Sequence, residues 1–363
     1  MGPHLPAAHR DLLERIEGTS PSIGRLAESF SELALLGDQD TDDAATQVAT
    51  VFADGNRVGA LIQALSEEGR KHKHLIVRLL DACTKTAIAK ATEDSLLQGQ
   101  GRQDVAPILA HLAGGDDVLV SVAATRGWAF SIALAKTFQQ ATGRLDLLPT
   151  RPNNENSSRG NPALAQLLGG EPSLSVGLVF HHRSQPIADV ISRADEALHE
   201  AKRLHLGKKP AIAFVDLTAD GVINGMEGAA SREDAPHLAD RVVTFEELER
   251  HSAILDGLSV LSQAQRSSLR QLLRPDSATW GSSQLSTVGV ESQLDALTRR
   301  VGVTHVPSIL NSIGSIRPDK RASRMPSVPL AEAVQLLATP TSAHAARARL
   351  RRDLDIARWW RST

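Results

Sequence analysis

The tetrapeptide Gly114-Gly115-Asp116-Asp117, set between the apolar runs Val105 to Ala113 and Val118 to Ala123, constrains this chain more than any other segment. Two runs of strand length separated by glycines read as an antiparallel hairpin, because glycine supplies the positive φ that a tight turn needs. The same glycines leave no side chain at the tip to block a phosphate, and two carboxylates leave the turn at the start of the following strand. Such a pair suits a hard cation, since Mg2+ takes one or two carboxylates together with substrate phosphate oxygens. Taken alone, the motif also reads as an ordinary Gly-Asp turn, so its meaning depends on what the fold brings beside it.

The segments around the hairpin supply that context. Val48 to Ala53 is a short strand-like run broken by Asp54-Gly55-Asn56, and Val58 to Leu65 begins a helical stretch. From His72 to Leu97, helical spacing places Leu75, Leu79, Ala82, Thr86 and Ala89 on one face. After the hairpin come a helix from Ala129 to Ala141, with Phe130, Leu134 and Phe138 in step, and a strand from Leu174 to Phe180. A helix from Ile187 to Leu204 and a strand from Pro210 to Val215 follow. The core order βαββαβ predicts a ferredoxin-like, split βαβ plan. In that plan the first strand lies beside the hairpin, so Asp54 comes within reach of Asp116 and Asp117. Three carboxylates on adjacent strands can hold two divalent ions and support nucleotidyl transfer. Asp54 by itself suits a helix N-cap equally well.

Composition narrows the chemistry further. The chain has 363 residues and one cysteine, Cys83, which excludes an intramolecular disulfide and any zinc or iron-sulfur site built from several cysteines of this chain. Metal chemistry must therefore use oxygen or histidine. Tyrosine is absent and aromatics are 3% of residues, which argues against base-stacking platforms. A net charge of -2 gives no global footprint for nucleic acid. No run is long and apolar enough for a membrane span and the N-terminus lacks a signal-peptide pattern, so no membrane partner and a cytoplasmic location are expected.

Three segments taken together carry a resemblance. Phe52-Ala53-Asp54-Gly55-Asn56-Arg57-Val58-Gly59, Ala113 to Leu119, and Ser175 to His182 with Pro186-Ile187 are similar to the catalytic second palm domain of the large subunit of type III CRISPR effector complexes. The likeness extends to Ala194-Asp195-Glu196-Ala197-Leu198-His199-Glu200-Ala201-Lys202, which resembles GGDEF diguanylate cyclases. It covers about residues 48 to 217. What it implies is synthesis of cyclic oligoadenylates from ATP with Mg2+ or Mn2+, by attack of a 3'-hydroxyl on an α-phosphate. It further implies that Asp54, Asp116 and Asp117 are the catalytic residues, with Asp54 and Asp117 the principal metal ligands and Asp116 a further ligand or a support for them, that Gly114, Gly115 and Asn56 lie at the nucleotide, and that Lys202 lies near the triphosphate. The N-terminal nuclease domain, first palm and zinc element usual in such subunits are not recognisable in this chain. A homodimer or a partner bearing a second palm is therefore expected, with CRISPR effector subunits and guide RNA as further partners. A cyclic dinucleotide cyclase and a non-catalytic palm scaffold of an RNA-guided defence complex are the alternatives.

The expected organisation is α+β: an N-terminal helical segment (1–46), a ferredoxin-like palm (47–218), a linker (219–235) and a C-terminal all-helical domain (236–363). Val243 onward reads as helices only. His181 and His182 are neighbours on a strand and face opposite sides, which disfavours a shared metal. The arginines from Arg347 to Arg361 alternate with Asp353 and Asp355 and read as a salt-bridged helix. Trp359 and Trp360 read as core anchors, and Cys83 as inert packing.

Overall fold

The computed structural model describes residues 12, 14–16, 24–37, 46–56, 58–59, 73–97, 105–143, 172–218, 238–272, 309–310 and 340–361. Its strands are β1 (Arg25–Leu26), β2 (Gln47–Gly55), β3 (Val105–Ala106), β4 (Ile108–Gly114), β5 (Asp117–Ala123), β6 (Leu174–His182), β7 (Ala211–Asp216) and β8 (Val242–Thr244). The helices are α1 (Phe30–Leu36), α2 (Lys73–Thr92), α3 (Gly127–Gly143), α4 (Ile187–His205), α5 (Phe245–Ser259), α6 (Gln263–Leu272) and α7 (Pro340–Ala357). The molecule is mixed α/β and divides into two units after Phe245.

In the first unit one sheet runs in the order β4-β5-β2-β6-β7-β8. β2 is antiparallel to β5 and to β6, and β4 is antiparallel to β5. Two βαβ units are therefore interleaved: β5 lies between β2 and β4, and β2 lies between β5 and β6. β7 then adds parallel to β6, and β8 antiparallel to β7. The sequence Leu174-Ser175-Val176-Gly177-Leu178-Val179-Phe180-His181 is buried throughout, as expected of a strand covered on both faces.

Glycines set how closely the helices approach. α3 starts against one face of the sheet at Gly127, where a Cβ would stand 2.7 Å from the Ala49 Cβ and 3.1 Å from Phe180. On the opposite face, α4 buries Val190, Ala194, Ala197, Leu198 and Ala201, the i, i+4, i+7 pattern of an amphipathic helix. It crosses β6 at Gly177, where a Cβ would collide with the Ala194 carbonyl and stand 2.7 Å from Leu198 N. Beside it, a polar rung crosses four strands. His111 Nε2 meets Ser121 Oγ at 2.9 Å, Ser121 meets Thr50 Oγ1 at 2.7 Å, and Thr50 meets His181 Nε2 at 2.8 Å. Burial pushes His181 down to about 4, so its ring is neutral near pH 7. His182 is exposed, and the two histidines do face opposite ways.

Four local readings change. The Val105 to Ala113 run is two strands, because Pro107 has no N–H for the ladder. β1 pairs in parallel with β3, where helix and loop are expected. Val242–Thr244 is a strand, so the region does not read as helices only; its β-branched residues extend the sheet through β7. In α2 the buried side chains include Leu80, Cys83, Thr84, Ala87, Ile88, Ala89, Ala91 and Thr92; of the expected face Ala89 is buried, Leu79 and Ala82 are partly buried, and Thr86 is exposed. The Val58 to Leu65 helix lies outside the described residues beyond Gly59. Helix candidates at Glu291 to Val301 and Leu330 to Leu337, and most of the proline-bearing loops, also lie outside them.

In the second unit the described residues are helical and their connecting turns. Glu247 pairs with both Arg349 and Arg352, and Arg270 pairs with Asp355. Trp359 and Trp360 are buried, with Trp360 Nε1 donating to Asp256 Oδ1 at 2.7 Å.

Because α4 rests directly on Gly177, replacing it with alanine forces helix and strand apart. Gly177→Ala is expected to cost about 3 kcal/mol by overpacking, measured by urea unfolding. A change below a few tenths of that cost would show that α4 does not rest on Gly177.

Candidate active site

The ends of β2 and β5 meet at one edge of the first unit. Ala53 pairs with Val118, which sets Asp54 and Gly55 beside the turn of the β4–β5 hairpin. Gly114 pairs with Asp117 across that turn, and Gly115 takes a φ of +65°. Left-handed backbone is costly for most side chains, which explains a glycine there. Asp116 projects back over Gly55, where a Cβ would lie 2.6 Å from Asp116 Oδ2 and 2.9 Å from its Cβ. Gly55 is therefore a site residue that sequence reasoning passes over. Its signal is the glycine directly after Asp54.

Asp54 and Asp116 come close enough to share a hydrogen bond, with Asp117 adding a third negative charge. Burial, followed by the Asp54 charge, raises Asp116 to about 6. The same two causes raise Asp117, against a lowering from Lys202. Lys202, in the last turn of α4, forms an ion pair with Asp54 Oδ2 and reaches the Gly55 carbonyl at 3.3 Å. The sequence-derived residues Asp54, Asp116, Asp117, Gly114, Gly115 and Lys202 thus converge.

Asn56 takes a different place. It is 4% exposed, and its amide donates to Ser173 Oγ at 2.7 Å and accepts from Ser175 Oγ at 2.8 Å. Its side chain ties the end of β2 to the start of β6 and points into the protein. Asp81 and Thr84 of α2 also stand at the hairpin, with Lys85 paired to Asp81 Oδ2 at 3.1 Å, and the sequence reading does not single them out. Asp81 Oδ1 accepts from Gly115 N at 3.2 Å, and Thr84 Oγ1 donates to Gly115 O at 2.7 Å.

Crowded carboxylates facing an ammonium are a donor set that fits a hard divalent cation. Among the described residues no three His, Cys, Asp or Glu side chains form a ready-made metal cage. The arrangement is open, which matches the way Mg2+ is held by few carboxylates plus substrate phosphates. Cys83 is buried in α2 and burial raises its thiol, so it is no nucleophile.

Residues 47–213 match the family model of the Cas10/Cmr2 second palm domain. Among solved structures, the chain is similar to Csm1 from T. onnurineus, at 15% identity and a TM-score of 0.46, covering 90% of this chain and 39% of that one. It is also similar to a Csm1–Csm4 cassette in complex with AMPPNP, at 17% identity and a TM-score of 0.42, covering 76% and 38%. A Csm1–Csm4 cassette in complex with cA4 gives 16% identity and a TM-score of 0.41, covering 77% and 37%. This chain thus spans less than two-fifths of each of those chains. No curated protein matches it. The match to the family model covers residues 47–213, less than half of the chain. Among the described residues, no helix is long and apolar enough to cross a membrane.

A carboxyl raised to about 6 stabilises the fold below the unfolded carboxylate range and loses that contribution as pH rises through 6. Asp116→Asn mimics the protonated form at every pH. At pH 7.5 it is expected to unfold about 1 kcal/mol less readily than the wild type, after allowance for solvent screening. The gap is expected to close toward pH 4 in urea unfolding measured across pH. A gap that widens on acidification would contradict the crowding.

Proposed function

We propose that this chain is a metal-dependent nucleotidyl cyclase that joins ATP into cyclic oligoadenylates. The observation that carries the reading is the convergence of Asp54, Asp116 and Asp117 at the ends of two adjacent strands. The strand order supports a ferredoxin-like palm, and the family match over residues 47–213 supports a palm of the Cas10/Cmr2 kind.

Asp54, Asp116 and Asp117 would hold Mg2+ or Mn2+. When bound, such ions supply Lewis acidity to the α-phosphate and to the attacking hydroxyl. The protein's own groups do the rest. Gly114 and Gly115 leave the hairpin tip bare, so a triphosphate can approach the backbone. Lys202 exchanges Asp54 for a phosphate oxygen and balances charge on the departing pyrophosphate. In the reaction the 3'-hydroxyl of one nucleotide loses its proton to solvent as its oxygen bonds to the α-phosphorus of the next, and the bond from that phosphorus to pyrophosphate breaks. Repetition lengthens the chain, and attack by its own terminal 3'-hydroxyl closes the ring.

A single palm offers one nucleotide platform, so a second copy or a palm-bearing partner supplies the other. CRISPR effector subunits and guide RNA are the partners this reading implies, and the cytoplasm is the location.

The test is incubation of the purified chain with each NTP and Mg2+ or Mn2+, with mass spectrometry of the products and light scattering of the protein. Cyclic oligoadenylates from ATP are expected. Their loss is expected in the Asp116→Ala, Asp117→Ala double variant, at a melting temperature no lower than that of the wild type. Undiminished turnover in that variant would remove the assignment, and a cyclic dinucleotide product would replace the substrate reading. No product from a chain shown to be dimeric would favour the scaffold alternative.

A further inference from the structure

Helix α2 grips the glycine turn through both of its peptide planes. The Gly115 N–H belongs to the peptide before that residue, and it donates to Asp81 Oδ1 at 3.2 Å. The Gly115 carbonyl belongs to the peptide after it, and it accepts from Thr84 Oγ1 at 2.7 Å. Fixing both planes fixes φ and ψ at the one residue between them, the residue from which Asp116 departs. Asp81 and Thr84 are three positions apart and so share one side of the helix.

The turn has few other means of holding its shape. Glycine is the residue with the widest backbone freedom, and nothing lies within 4 Å of the place where a Gly115 Cβ would stand. Thr84 is fully buried, so its hydroxyl has little access to water as an alternative partner. Asp81 is itself held, since its Oδ2 pairs with Lys85 Nζ at 3.1 Å. Both hydrogen bonds act on Gly115.

From this geometry we propose that Asp81 and Thr84 are positioning residues, which lock Gly115 so that Asp116 and Asp117 face Asp54 at a fixed separation. The inference rests on the reading of those aspartates as the working carboxylates. Its consequence is that binding of a cation at the hairpin depends on two side chains of a helix that contributes no ligand. Two carboxylates free to swing apart lose affinity for an ion that needs both, while the fold keeps its core.

The test combines amide hydrogen exchange of the hairpin with titration of the full chain by Mn2+ alone. Thr84→Val keeps the shape of threonine and removes the donor, and Thr84→Ser keeps the donor. In Thr84→Val, exchange of the Gly115 to Asp117 amides is expected to rise about tenfold and the Mn2+ dissociation constant about fivefold, as loss of a buried hydrogen bond implies. Thr84→Ser is expected to restore both. Asp81→Ala, at a half-buried position, is expected to act in the same direction at an unchanged melting temperature, with Asp81→Asn milder because it keeps an acceptor. Unchanged hairpin exchange in Thr84→Val and Asp81→Ala would overturn the proposal. So would a Thr84→Ser variant as loose as Thr84→Val. If the wild-type protein binds no Mn2+, the metal reading falls, and the exchange rates alone decide whether the clasp holds the turn.

Discussion

Everything at this site depends on a repulsion held in place: Asp54, Asp116 and Asp117 brought together where the ends of β2 and β5 meet. Left to themselves, such groups separate into water. Here Asp116 is seated over Gly55, which has no Cβ to keep it away, and the turn behind it is bound to α2. Lys202 answers part of the charge at Asp54, and a proton on Asp116 answers another part as pH falls through about 6. A divalent cation would relieve the same repulsion more completely than either, because its charge is concentrated among hard oxygen ligands.

The scaffold makes this arrangement rigid through close contacts on both faces of the sheet. Gly127 admits α3 on one side and Gly177 admits α4 on the other. The second contact bears directly on the chemistry, since α4 delivers Lys202 from its last turn. The polar rung from His111 through Ser121 and Thr50 to His181 ties together β4, β5, β2 and β6, the four strands that carry or flank the carboxylates. A neutral buried histidine fits that role, because every member of the rung has a hydrogen-bond partner.

Much of this was legible in the sequence. The hairpin, the strands flanking it and the approach of Asp54 follow from alternating apolar runs, glycine chemistry and the interleaved βαβ order. Lys202 came only from the resemblance, since nothing in local periodicity brings a helix C-terminus to a strand end. The contribution of α2 was hidden for a physical reason. Asp81 and Thr84 look like ordinary polar positions in a helix, and apolar spacing gives no sign that Thr84 is buried against the hairpin. Asn56 shows the opposite case: a polar residue two positions after Asp54, whose hydrogen bonds to Ser173 and Ser175 only three-dimensional structure can reveal. Strand β8 was missed because three residues, Val242-Val243-Thr244, give too short a run to outweigh the helical pattern that follows.

The most direct test of the central claim is a crystal structure of the chain grown with Mn2+ and a non-hydrolysable ATP analogue, with the ion located by its anomalous scattering. The account predicts Mn2+ bound by Asp54 and by at least one of Asp116 and Asp117, the triphosphate against Gly114 and Gly115, and Lys202 moved from Asp54 onto a phosphate. Nucleotide bound elsewhere, with Lys202 still paired to Asp54 and no ion among the three aspartates, would contradict it.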